Sequence, residues 1–144
     1  SSKLARWWRR CSKCKAYAAA NHTIQPYTNQ YYTMTVKDIF ELRREGRVEE
    51  AYNAILPMYR VHHGKYTSLA MFWCAVDMMN LLLGKAVDGT EESLNALQEA
   101  EKIYMSLQRL APKIHDESGT CQQTILNLGE AIRCTQIRVN SKQR

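Results

Sequence analysis

From Met34 onward, apolar side chains recur every three or four residues, the period of a helix with one buried face. The first run covers about Thr35 to Glu45. It opens with Thr35 three residues before Asp38, a hydroxyl and an acid suited to a helix's positive end, and stops at Gly46. A second helix is predicted from Val48 to about His62, carried by Val48, Ala51, Tyr52, Ile55, Met58 and Tyr59. Pro57 lies inside it and has no N–H for the Asn53 carbonyl, which predicts a kink or an early end. His63, Gly64 and Lys65 make the next turn. The third helix, about Thr67 to Leu83, is apolar almost all round. That predicts burial on every face and a central position, with Trp73 inside. The fourth runs from about Glu91 to Leu110, capped by Thr90 or Asp88 and stopped by Pro112. The fifth, about Thr120 to Val139, is apolar at Ile125, Leu128, Ile132 and Val139. No strand candidate interrupts residues 34–144.

Residues 1–33 are of a different kind. They show no sustained period and carry Lys3, Arg6, Arg9, Arg10, Lys13 and Lys15 with no Asp or Glu. Those charges account for the whole formal excess of +6, so residues 34–144 hold 14 basic and 14 acidic side chains. The organisation predicted is a basic, flexible extension over 1–33 ahead of one neutral helical domain over 34–144. Two origins of the extension stay open: sequence upstream of a start at Met34, or a native basic tail.

Composition adds boundaries. A chain of 144 residues, 45% apolar and 24% charged, suits one ordinary globular domain. The longest apolar stretch, Leu69 to Leu83, contains Asp77 and Asn80 and falls short of the roughly 20 residues that span a bilayer. No membrane association is expected, and a cytoplasmic location follows by default. Five cysteines at irregular spacing do not make a disulfide framework, so the thiols are read as reduced.

Three segments repeat one theme. In the fourth helix Ala100 is followed by Tyr104, Leu107 and Pro112. Gly46-Arg47-Val48-Glu49-Glu50-Ala51, with Ile55 and Met58, echoes the unit earlier, and Ile125-Leu126-Asn127-Leu128-Gly129 with Ile132 supplies a third echo. This pattern resembles the tetratricopeptide family over roughly residues 35–139. In that family a small residue lets two helices approach, an aromatic fills the facing groove and a proline ends the repeat. The sequence departs from the pattern in places. Asp38 and Ile39 stand at the Leu-Gly places of the first helix, Asn95 replaces the turn glycine, and His63 stands where a proline is expected. Ala51 and Ala100 are 49 residues apart, against about 34 in the family. The fold implied is an all-α antiparallel stack of helix hairpins, a tetratricopeptide-like solenoid of about two repeats plus a capping helix.

Chemistry is sparse. Cys11 and Cys14 have half the spacing of a zinc site, but only His22 is near and structural zinc takes four ligands. His62 and His63 are adjacent on a helix and point apart. Asp77, alone in an apolar helix, is expected to find a polar partner or sit at a rim. There is no glycine-rich phosphate loop, HExxH or G-x-S-x-G motif. No catalytic residue, cofactor or metal site is therefore expected.

The function expected is a non-enzymatic adaptor that binds a protein or peptide on the surface made by the first helix of each repeat. Phe40, Arg43 and Arg44 from the first helix and Gln122, Gln123 and Asn127 from the fifth would contribute. The alternative is a nucleic-acid-associated accessory protein acting through residues 3–15, where Arg6-Trp7-Trp8-Arg9-Arg10 mixes cations with aromatics. The neutral body argues against it. A homodimer is the simplest cover for surplus apolar side chains on the fifth helix, Leu126 and Ile137 among them. A chain beginning at Met34 should melt within a few degrees of the full chain by circular dichroism. A lost cooperative transition would show Trp7 and Trp8 packed into the body.

Overall fold

The computed structural model describes residues 34–142. The predicted extension, its Cys11 and Cys14 pair and its tryptophans lie outside the described residues. Among the described residues there are five α-helices and no strand: α1 (Val36–Arg44), α2 (Val48–Val61), α3 (Lys65–Lys85), α4 (Glu91–Leu110) and α5 (Thr120–Lys142). A single 3-10 turn, Ala111–Lys113, follows α4.

The helix ends follow from local chemistry. Thr35 and Asp38 form a capping box: the Asp38 N–H donates to the Thr35 hydroxyl at 3.3 Å, and the Thr35 N–H donates to the Asp38 carboxylate at 2.9 Å. α1 is closed off by Gly46, two residues past its end, whose φ of +78° lets the Gly46 and Arg47 N–H groups turn back to the Arg43 and Leu42 carbonyls. At α4 both candidate caps act together. Thr90 accepts from the Ser93 N–H, while the Asp88 carboxylate accepts from the Thr90 hydroxyl at 2.6 Å and the Ser93 hydroxyl at 2.9 Å. Those bonds, led by the one from Thr90, hold the Asp88 carboxyl below its usual range. Asp116 accepts from the Cys121 and Gln122 N–H groups at the start of α5.

Packing follows chain order. Glu49 of α2 reaches Lys85 at the far end of α3, and Lys85 in turn lies beside Ser93 at the start of α4. Tyr104 of α4 lies against Gly129 of α5, and Glu101 accepts from Gln136 at 3.2 Å. Each pair therefore runs antiparallel. α1 and α3 also touch directly and run the same way, since Thr35 and Val36 lie near Lys65 while Arg43 meets Asp77. α3 touches all four other helices. Its Phe72, Cys74 and Met79 are fully enclosed, with Ile39, Ile55, Ala100, Leu107 and Val139 from the surrounding helices also buried.

α2 runs to Val61, close to the end expected near His62; of the two outcomes expected at Pro57 the early end does not occur, and Asn53 is exposed, where water can take up the carbonyl that proline leaves unmatched. Three sequence expectations need correction. α3 starts at Lys65 and runs to Lys85, because Gly64 rather than Thr67 begins it. At 21 residues it is the one helix among those described with the length and composition to cross a membrane, and 61% of that stretch is buried in the bundle. Nor is α3 buried on every face: Tyr66 and Asn80 are exposed, and Trp73 and Asp77 are half-buried along the same stripe. On α5, Ile125, Leu128, Ile132 and Val139 are buried as expected, and Leu126 and Ile137 are exposed. Those two do not form a contiguous patch, because the ion-paired Glu130 and Arg133 stand on the stripe between them.

Gly129 tests the α4–α5 packing. A Cβ there would sit 2.7 Å from the Tyr104 hydroxyl oxygen, nearer than real contacts allow. Alanine in a helix interior normally gains about 0.5–1 kcal/mol over glycine. Gly129→Ala is expected to yield little of that gain in urea unfolding, because Tyr104 must move. In a Tyr104→Phe background the full gain should return. An equal gain in both backgrounds would place Tyr104 elsewhere.

Candidate functional site: the face shared by α1 and α3

α1 and α3, which run parallel, leave an open depression of about 760 Å³ between the length of α1 and the first turn of α3. α1 contributes Lys37, Phe40 and Arg44; α3 contributes Lys65, Tyr66 and Thr67; His62 and Gly64 close one end. Their positions on α1 at 36, 37, 40 and 44 follow the helical period, so one face of a nine-residue helix supplies them all. Two features give the depression its character. Its cations, Lys37, Arg44 and Lys65, face no carboxylate in its lining. Second, α3 begins with no side-chain cap and no acid in its first turn, so its N–H groups add uncompensated positive potential at the same place. Aromatic surface accompanies the charge. Tyr66 is 64% exposed, with the Lys65 ammonium 5.7 Å from its ring centre, and Phe40 is half-buried.

The floor of this face is tied by one ion pair. The Arg43 guanidinium of α1 holds the Asp77 carboxylate of α3 with two donors, Nε to Oδ2 and Nη2 to Oδ1, the latter at 3.3 Å. It also lies 5.6 Å from the Trp73 ring centre, and Trp73 meets Phe72 edge-on at 5.0 Å between ring centres. Asp77 thus has a cation as its partner, across the gap between two helices.

Of the six residues expected to bind a partner, Phe40 and Arg44 line the depression. Arg43 is committed to Asp77 and Trp73. Gln122, Gln123 and Asn127 are exposed on α5, where the Gln123 amide donates to the Asn127 carbonyl at 3.0 Å. None of these three lines the depression. Lys65 and Tyr66 were missed because His63-Gly64-Lys65 reads as a turn. The signal that could have found them was Gly64 immediately before an unbroken helical run.

Among the described residues no group of three or more His, Cys, Asp or Glu side chains is placed to hold a metal ion. The Cys74 thiol is pushed up to about 12, mainly by burial, with Asp77 adding to the shift and Arg43 opposing it. It is a packed core group and carries no nucleophile at neutral pH. Comparison with protein-family models, with curated proteins and with solved structures finds no match to this chain.

The Arg43–Asp77 pair predicts a definite mutational pattern. The two side chains are 30% and 22% exposed, so removing either leaves the other partly desolvated and unpaired. Asp77→Ala should lose about 1–2 kcal/mol in urea unfolding, and Arg43→Met a similar amount. The double variant should lose clearly less than the two together. Additive losses would mean the pair is not formed in solution.

Proposed function

We propose that this chain is a non-enzymatic interaction module of tetratricopeptide type that holds an acidic segment of a partner protein between α1 and α3. The observation that carries this reading is the depression itself: three cations and two aromatic rings on the first helices of successive hairpins, with no carboxylate among them. An acidic segment bearing an apolar or aromatic residue matches both features. Its carboxylates meet Lys37, Arg44, Lys65 and the start of α3, while its apolar side chain lies against Phe40 and Tyr66. The tetratricopeptide assignment draws support from the packing. Ala100 and Leu107 are buried, Tyr104 fills the space at Gly129, and α3 touches both α1 and α5, the contacts expected between alternate helices of such a stack.

The rival reading is a nucleic-acid-associated accessory role, favoured by the one-signed charge of residues 1–33. The two separate in one experiment. Random peptides displayed on phage should enrich, on the full chain, for acidic segments containing a large apolar residue. The triple variant Lys37→Glu, Arg44→Glu, Lys65→Glu should weaken a selected peptide by at least about tenfold in fluorescence polarisation while keeping its helical circular dichroism. Neutral selected sequences, or binding that survives the triple variant, would sink the proposal. RNA binding that falls steeply with salt and also survives that variant would support the rival.

A further inference from the structure

A second concavity lies on the other side of α3, apart from the α1–α3 face. α2 and α4 run in the same direction there and leave a groove of about 290 Å³ with α3 as its floor. Met71 and Ala75 on that floor, and Leu107 of the α4 wall, are buried and apolar. The rim is different in kind. Arg60 near the end of α2, Arg109 near the end of α4 and Lys113 in the 3-10 turn all border the groove at one end, and all three are exposed. No carboxylate lines the groove. The opposite end is closed by Tyr52, whose hydroxyl is kept neutral by burial first and by Glu99 second, against the pull of Arg60. Glu99 is itself paired with Lys102 at 3.6 Å. The groove is thus polarised along its length, cationic where the two helices end and apolar toward Tyr52.

We infer that this groove binds a small amphiphilic carboxylate, with its apolar body over Met71, Ala75 and Leu107 and its carboxylate between Arg60 and Arg109. The volume is at the lower limit of small-molecule sites, which selects a short acyl or aryl body rather than a long lipid. The guanidinium forks can each offer paired donors to a carboxylate, which a neutral headgroup cannot use as well. The competing role for these cations is to neutralise the negative ends of α2 and α4. That role stabilises the helices and leaves any ligand preference untouched.

The probes are decanoate and the matched neutral alcohol, decanol, titrated into the full chain and followed by the methyl NMR signals of Met71 and Ala75. Decanoate is expected to bind saturably at one site and at least about tenfold more tightly than decanol. Arg60→Gln with Arg109→Gln should erase that preference while decanol affinity stays the same. Ser106 is exposed on the groove's edge, so Ser106→Trp blocks the groove without entering the core and should abolish both titrations. The inference is overturned by equal affinities for the two probes, by no saturation up to millimolar decanoate, or by a preference that survives the double variant. A double variant that melts lower yet keeps the preference assigns the arginines to the helix ends alone. Peptide binding at the α1–α3 face should not change in any of these variants.

Discussion

A 21-residue helix with apolar side chains on nearly every side cannot remain in water, and the other four helices are disposed so as to remove α3 from it. Each neighbour covers a different stripe. α2 and α4 flank it antiparallel, α1 crosses its exposed stripe at Asp77, and α5 reaches it from beyond α4. The same length and composition would suit a bilayer; among the described residues, 61% of that stretch is buried against the other helices. Full burial of one leucine-sized side chain is worth about 1.5–3 kcal/mol, so the several enclosed positions on α3 outweigh any single cap or ion pair in the molecule.

The charge pattern follows from how that burial is achieved. The domain counts equal numbers of acids and bases, yet all four of its aspartates are committed. Asp38 and Asp88 cap α1 and α4, Asp116 caps α5, and Asp77 holds Arg43. Carboxylates spent on helix starts and on the α1–α3 tie are absent from the concave surfaces. Lys37, Arg44 and Lys65 on one side of α3, and Arg60, Arg109 and Lys113 on the other, stand around depressions with no acid in their linings. A neutral body thereby presents two cationic recesses, separated by the thickness of its central helix.

Helix order and most helix ends were legible along the chain, because their causes are local. Thr35 with Asp38, Gly46, Thr90 with Asp88, and Pro112 each act within a few residues of where they stand. The buried stripe of α5 was legible for the same reason, since Ile125, Leu128, Ile132 and Val139 differ in kind from the residues on its other sides. Phe40 and Arg44 were found as surface residues of the first helix, though not as partners of Lys65 and Tyr66.

The order of residues alone carried five helices, the caps of α1 and α4, and the neutrality of the body that follows the basic segment. Packing of the helices against one another is what leaves Trp73 half-buried, pairs Asp77 with Arg43, and sets Gln122, Gln123 and Asn127 away from the α1–α3 depression. The reason is directional. Periodicity says which side of a helix is apolar, and α3 is apolar almost all round, so its pattern carries no direction. Which of its stripes faces a partner helix, and which is left open beside two unpaired arrays of cations, is fixed only when α1, α2, α4 and α5 take their places around it.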